Sequence, residues 1–129
     1  LTVAREEIDR LIDRHVPAEM QQPVSADPIA VAGTATTLAA IELGLPGYDS
    51  ARIHGTRVAR DAVATWIAKL APLTAEQRRA AHPAIEVGRA PLIIGGALVL
   101  LAVLDALHAD AYVASERDIL HGIALGLAA

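Results

Sequence analysis

The stretch APLIIGGALVLLAVL, Ala90 to Leu104, carries no polar side chain and stops at Asp105. It is shorter than the roughly 20 residues that cross a bilayer and holds a glycine pair, so it reads as a buried helix and not as a membrane span. With its flanks it predicts a central helix over Arg89 to His108, apolar on every side, which other elements must cover all round. A chain of 129 residues holding such a helix is one domain or part of one, and it is long enough to bury a core without staples.

The rest of the chain is predicted around that helix. Leu1 to Val16 reads as an amphipathic helix with Val3, Ile8, Leu11 and Ile12 on one face, ended by Pro17. The segment from Pro17 to Pro28 is linker-like. Ile29 to Ala32 is a short apolar run expected as a buried strand, Gly33 turns the chain, and Thr34 to Leu43 is helical. After the loop GLPGYDS, a long helix is predicted over Gly55 to Leu70, with Val58, Ala62, Trp66 and Leu70 spaced by four. Thr74 and Gln77 form a capping-box pattern opening a short helix that Pro83 stops. Ala111 to Ala114 is a second strand, and Ser115 is expected to cap a last helix running to the C-terminus, where Gly122 and Gly126 permit close packing against the sheet or the central helix.

Two short apolar strands, each followed by a helix, follow α/β grammar, and a helical crossover between them makes them parallel. Two strands rarely stand alone, and parallel sheets need both faces covered. The expected architecture is therefore a helix-rich α/β fragment with few, mainly parallel strands, whose sheet is completed upstream or by another copy of the chain.

Composition excludes several functions. Without cysteine, disulfides and thiolate metal sites are impossible. A formal charge of -4 argues against a general nucleic-acid or acidic-lipid surface. With only Trp66, Tyr48 and Tyr112 as aromatics, stacking platforms for bases are not expected. No charged segment precedes an apolar one at Leu1, so no signal peptide is expected, and a cytoplasmic protein fits. Of the histidines His15, His54, His82, His108 and His121, no two lie four apart on one predicted helix, so no metal site is expected.

Two places are candidates for chemistry. At VAGTATTLAA, a strand leading through Gly33 into a helix aims unpaired amides at the strand's carboxyl edge, where the helix dipole adds positive potential. Thr34, Thr36 and Thr37 add hydroxyls. They serve as caps of a buried helix or as donors to an anion; neither a GxGxxG fingerprint nor a Walker lysine decides it. At VASERDILHG, Arg117 sits in the expected first turn of a helix, where a cation costs a few tenths of a kcal/mol. It pairs locally or binds an anion.

Taken together, VAGTATTLAA, IHGTRV, GRAPLIIGGALVLLAVLDAL and VASERDILHGIALGLA, in that order and spacing, resemble the exopolyphosphatase/guanosine pentaphosphate phosphohydrolase (Ppx/GppA) phosphatases. The resemblance runs from about Ile29 to the end. It implies the latter part of the second ribonuclease-H-like domain of an actin-like ATPase-type enzyme, residues 1–129 being one partial domain. That enzyme would be a phosphoanhydride hydrolase removing terminal phosphate from polyphosphate or guanosine pentaphosphate with Mg²⁺. Gly33, Thr34 and Thr36 would bind phosphate or nucleotide. Arg89 matches the family's GRA and Glu116 its acidic residue after the strand serine, and with Arg117 they are candidate cleft residues. Pro91 stands where many relatives have Asp, and His121 where an acid is expected. The aspartate–glycine phosphate loops and the catalytic glutamate are not in these residues, so no catalytic residue, no metal and no cofactor are expected in this chain alone. The other readings are a non-catalytic interaction module, homodimeric through an incomplete sheet, and half of a sugar- or acetate-kinase-like ATPase.

Overall fold

A computed structural model describes residues 1–128 of the chain; the expected extension of the last helix to Ala129 lies outside them. In chain order the elements are α1 (Thr2–His15), a short 3-10 turn (Ala18–Met20), β1 (Ile29–Val31), α2 (Gly33–Glu42), α3 (Ser50–Ile53), β2 (Arg57–Ala59), α4 (Arg60–Leu70), α5 (Ala75–Ala81), α6 (Ile93–Ala106), β3 (Ala111–Ser115) and α7 (Ile119–Ala128).

The two expected strands, β1 and β3, pair in parallel, with Ile29 opposite Val113 and Val31 opposite Ser115. A third strand was not expected. Residues predicted to begin a helix at Gly55 form β2, which runs antiparallel to β3 with Val58 opposite Tyr112, giving the order β1-β3-β2. The helix starts only at Arg60. Val58 suits both a four-residue helical spacing and a strand, and pairing with β3 decides between them. Gly55, at φ +83°, makes the turn that an L side chain resists, and its amide reaches Ala114 O at 2.8 Å.

The helix buried all round is α2, not the predicted central helix. Every residue from Ala35 to Ile41 is buried. α6 buries Ile93, Ala97, Leu98, Leu101, Ala102 and Leu104 but leaves Val99 and Val103 exposed, and it begins at Ile93, four residues later than predicted. The difference is side-chain size. Alanine and threonine make α2 thin enough to lie between the sheet and α6, whereas α6 carries more bulk than its neighbours cover. At the crossing, Thr34 packs on Gly96, where a Cβ would stand 2.2 Å from the Thr34 Oγ1. On the sheet side, the buried Tyr112 hydroxyl donates to Ala35 O at 2.8 Å, and burial, then the charge of Glu42, pushes that phenol up. The sheet turns Ala30, Val58, Tyr112 and Ala114 toward α2, and its outer face leaves Ile29 and Val31 exposed.

The outer helices depart further from expectation. On α1, Ile8 packs on the core, but Val3 and Leu11 are exposed and no residue is fully buried. The capping box at Thr74 forms as predicted. Ser115 ends β3 and does not cap α7; its hydroxyl accepts from the Arg117 amide at 3.0 Å. The cap is Asp118, whose Oδ1 accepts from Leu120 N at 2.9 Å. Gly122 and Gly126 face open space, and no described residue of α7 is buried, so the close packing expected there does not occur within this chain.

Asp105, which ends the apolar run, ties three helices together. Arg5 of α1 donates to its Oδ2 and Arg60 of α4 to its Oδ1, each at 2.6 Å. Partial burial pushes the Asp105 carboxyl up, but the hydrogen bonds and charges of Arg60 and Arg5 outweigh it and hold the group below the usual carboxylate range. A depressed folded-state pKa contributes stability that is fully present above the unfolded value, near pH 4, and is lost as pH falls through the folded value. Asp105→Asn should therefore cost about 1–2 kcal/mol at pH 7, part of a buried pair's loss because the site is partly open. Urea unfolding followed from pH 7 to 2 should show the difference between the two proteins shrinking below pH 4.

Candidate functional site

The amino end of α2 opens on a cavity of about 180 Å³ at the carboxyl ends of β1 and β3. Its walls are Ala32, Gly33 and Thr36 from the β1–α2 turn, Tyr48 from the following loop, Glu86 and Arg89 from the segment before α6, and Ser115, Glu116 and Asp118 from the end of β3. Four of the residues singled out in the sequence, Gly33, Thr36, Arg89 and Glu116, meet here. Thr34 is turned into the packing against Gly96, and Arg117 does not line the cavity.

No side chain caps α2 among the described residues. The Thr36 hydroxyl instead donates backward to Ala32 O at 3.2 Å, as threonine inside a helix often does. The hydroxyls thus leave the first-turn amides unclaimed, with the positive end of the helix facing the cavity. Ala32, the residue before the helix, holds φ +70° and ψ 173°, a region essentially reserved for glycine and costing ~1–3 kcal/mol.

Over that turn lies the Arg89 guanidinium. A Cβ on Gly33 would stand 2.1 Å from its Cζ, so the approach exists only because residue 33 has no side chain. Among the described residues Arg89 makes no ion pair, while Arg5, Arg57 and Arg60 all do. Its position is set by a neighbour: Arg78 donates to Leu70 O at 2.9 Å and to Ala90 O at 2.8 Å, pinning the chain beside Arg89 to the end of α4.

The acids of the cavity are mostly engaged. Tyr48 donates a short hydrogen bond to the Glu116 carboxylate, and the Glu116 amide donates to His54 Nδ1 at 3.3 Å. Burial, then the bond to Glu116, pushes the Tyr48 phenol up to about 12. Asp118 is held below the usual carboxylate range by His121, 3.3 Å away, and by the Leu120 amide. Glu86 is exposed. No three His, Asp or Glu side chains are grouped among the described residues, so these residues form no all-protein cage for a metal. No helix among those residues is long and apolar enough to cross a membrane. Glu86 and Arg78 were not singled out in the sequence, and Tyr48 and His54 were noted there without being assigned to the site. Tyr48 carried a signal, being one of only two tyrosines and set in a Gly/Pro loop.

The model of the Ppx/GppA phosphatase family matches residues 2–129. The chain belongs to the Ppx/GppA phosphatase family. It is 39% identical over 104 residues to exopolyphosphatase 2 of Mycobacterium tuberculosis, in strains CDC 1551 and H37Rv, an alignment covering 78% of this chain and 32% of that protein. The chain thus spans about a third of the curated relatives' length. Among solved structures, the Ppx/GppA family member of Aquifex aeolicus superposes with a TM-score of 0.83 at 22% identity, over 95% of this chain and 40% of that one. An exopolyphosphatase-like protein superposes with a TM-score of 0.83 at 28% identity, over 98% of this chain and 42% of that one. The helix-rich architecture with a small mixed sheet is that of the Ppx/GppA proteins, of actin-like ATPase fold, as the resemblance implied.

The geometry at Gly33 separates binding from folding. In Gly33→Ala the atoms nearest the new methyl are the far end of a flexible arginine, so thermal stability should hold or rise by about 0.5 kcal/mol, while the guanidinium must leave the turn and any phosphate binding that depends on it should weaken. Ala32→Gly should raise stability by about 1 kcal/mol by relieving strain. Differential scanning calorimetry with phosphate titration checks both.

Proposed function

We propose that this chain is the latter part of the second domain of a Ppx/GppA-type phosphohydrolase and forms one wall of its cleft, binding the phosphates of polyphosphate or guanosine pentaphosphate. The observation that carries this reading is an uncapped helix amino terminus facing a cavity under an arginine that has no acidic partner among the described residues. Free amides and a guanidinium are the groups that hold phosphoryl oxygens, the first through a fixed dipole and the second through paired N–H donors. Gly33 and Thr36 would supply the backbone of the cradle and Arg89 its charge, with Thr34 contributing through its amide. In the whole protein, a water oriented by a carboxylate outside this chain attacks the terminal phosphorus, and the anhydride P–O bond breaks to give inorganic phosphate and a shortened chain. The cradle's part is to stabilise charge on the phosphoryl oxygens. The Mg²⁺ implied by the resemblance would be held mainly outside these residues.

Calorimetric titration of the chain with tripolyphosphate should show one site, weakened about ten-fold or more in Arg89→Gln, the loss of one charge-assisted pair. Phosphate release from polyphosphate by the chain alone should be negligible. Absence of tripolyphosphate binding at millimolar concentration, or an unchanged affinity in Arg89→Gln, would refute the cradle.

A second reading, an interaction module pairing with its own copy, is favoured by the open edge of β1 and the exposed Ile29 and Val31. Light scattering at micromolar concentration distinguishes it by a dimer mass.

A further inference from the structure

Three carboxylates and one guanidinium line the cavity at the α2 turn, yet Arg89 makes no ion pair among the described residues. The side chains of Arg89 and Glu116 are long and flexible and share a space of about 180 Å³, and a guanidinium is the partner a carboxylate pairs with most strongly. Each acid has something that competes with that pairing. Asp118 is engaged by the Leu120 amide and by His121. Glu86 is exposed, and its field is screened by salt. Glu116 accepts from the Tyr48 hydroxyl, a phenol that keeps its proton through the neutral range because burial, then this bond, pushes it up to about 12. The main chain on both sides of this bond is set by α3. Asp49, next to Tyr48, caps that helix, its Oδ1 accepting from Ala51 N at 3.1 Å and from Arg52 N at 3.3 Å. His54, at the helix's other end, accepts from Glu116 N through Nδ1 at 3.3 Å. With both main chains so held, the swing left to Glu116 is that of its side chain, and Tyr48 takes it up.

We propose that Tyr48 is a positioning residue: by holding the Glu116 carboxylate it keeps that acid from pairing with Arg89 and leaves the guanidinium for an anion at the α2 turn. The proposal rests on the cradle reading and adds the residue that keeps the cradle open. An Arg89–Glu116 pair, once formed, must be broken before a phosphoryl group can bind, and apparent affinity then falls by the fraction of chains left open. Tyr48 acts through Glu116 and not on the ligand, so its effect must disappear when residue 116 carries no charge. Glu86 remains a second acid on the wall in every variant. The expected loss is therefore several-fold and not complete.

The test is a double-mutant cycle in tripolyphosphate affinity, measured by calorimetry on wild type, Tyr48→Phe, Glu116→Gln and the double variant, each checked for folding by circular dichroism. Tyr48→Phe should weaken binding about three- to ten-fold, the net worth of one hydrogen bond. Glu116→Gln should bind at least as tightly as wild type, and the double variant should match Glu116→Gln within about two-fold, the coupling expected of residues that act as a unit. A phenylalanine that merely disturbed the fold would weaken both backgrounds alike. Without ligand, the carboxyl carbon signal of Glu116 in NMR at pH 7 should move in Tyr48→Phe. Unchanged or tighter binding by Tyr48→Phe, weakening that persists in the double variant, or an unmoved carboxyl signal overturns the proposal. Failure of the cradle looks different and takes the proposal with it: tripolyphosphate then does not bind wild type, or binds Arg89→Gln as tightly, whatever the carboxyl signal does.

Discussion

The thinness of α2 is the constraint on which the rest of the structure depends. A helix with sheet on one side and another helix on the other is held at distances set by its side chains, and small side chains shorten them. Here Ala35, Ala39 and Ala40 are fully covered, Thr34 sits on a glycine of α6, and the Tyr112 hydroxyl reaches a main-chain carbonyl of the helix. A leucine or phenylalanine at those alanines would push the sheet off α6. Because α2 is wedged so closely, its first turn is fixed at the carboxyl end of β1, where the strand delivers it. The site is thus a consequence of packing: the amides that face the cavity are the ones the fold has no other use for.

Charge at the site is organised by what is paired and what is not. Asp105 takes two arginines and Asp27 takes Arg57, all on parts of the molecule away from the α2 turn. Arg78 is spent on two carbonyls. The main chain at Arg89 is held by its own bonds and by its neighbour's clamp, and among the described residues its guanidinium makes no ion pair. On the other wall Tyr48 donates to Glu116 and His121 sits beside Asp118, which orders these carboxylates without removing their charge. Arg89 is the one cation lining the cavity among the described residues, and it shares the walls with Glu86, Glu116 and Asp118.

Much of this was legible in the sequence where one physical signal dominated. The strand-to-helix turn at Gly33, the Thr74 capping box and the apolar core of α6 each rest on local chemistry that tertiary contacts reinforce. What was not legible had competing signals. β2 is three residues whose spacing also suits a helix, and only the partner strand decides. Hydropathy ranked α6 as the central helix, but burial follows size as well as polarity, and the smaller residues of α2 lie deeper. Ser115 had a cap's chemistry but was taken into the strand, leaving Asp118 to cap. Of the site, Gly33, Thr36, Arg89 and Glu116 were read from their motifs. Tyr48 and Glu86 come from irregular segments, whose positions no periodicity encodes.

The cavity also lies on the boundary between the covered and uncovered parts of the molecule. β3 is buried along most of its length and ends at Ser115, one wall of the cavity; Asp118, another, begins α7, whose Ile119, Leu120 and Ile123 are exposed. The sheet's outer face shares this openness at Ile29 and Val31. Apolar surface of this kind is what an interface buries, and it borders residues that line the cavity. An anion held at the α2 turn would contact fixed amides and a guanidinium on this side. Fixed donors of that sort stabilise charge without exchanging a proton near neutral pH. Any hold this cavity has on an anion would therefore be electrostatic, its strength set by how rigidly Arg89 and the first turn of α2 are held.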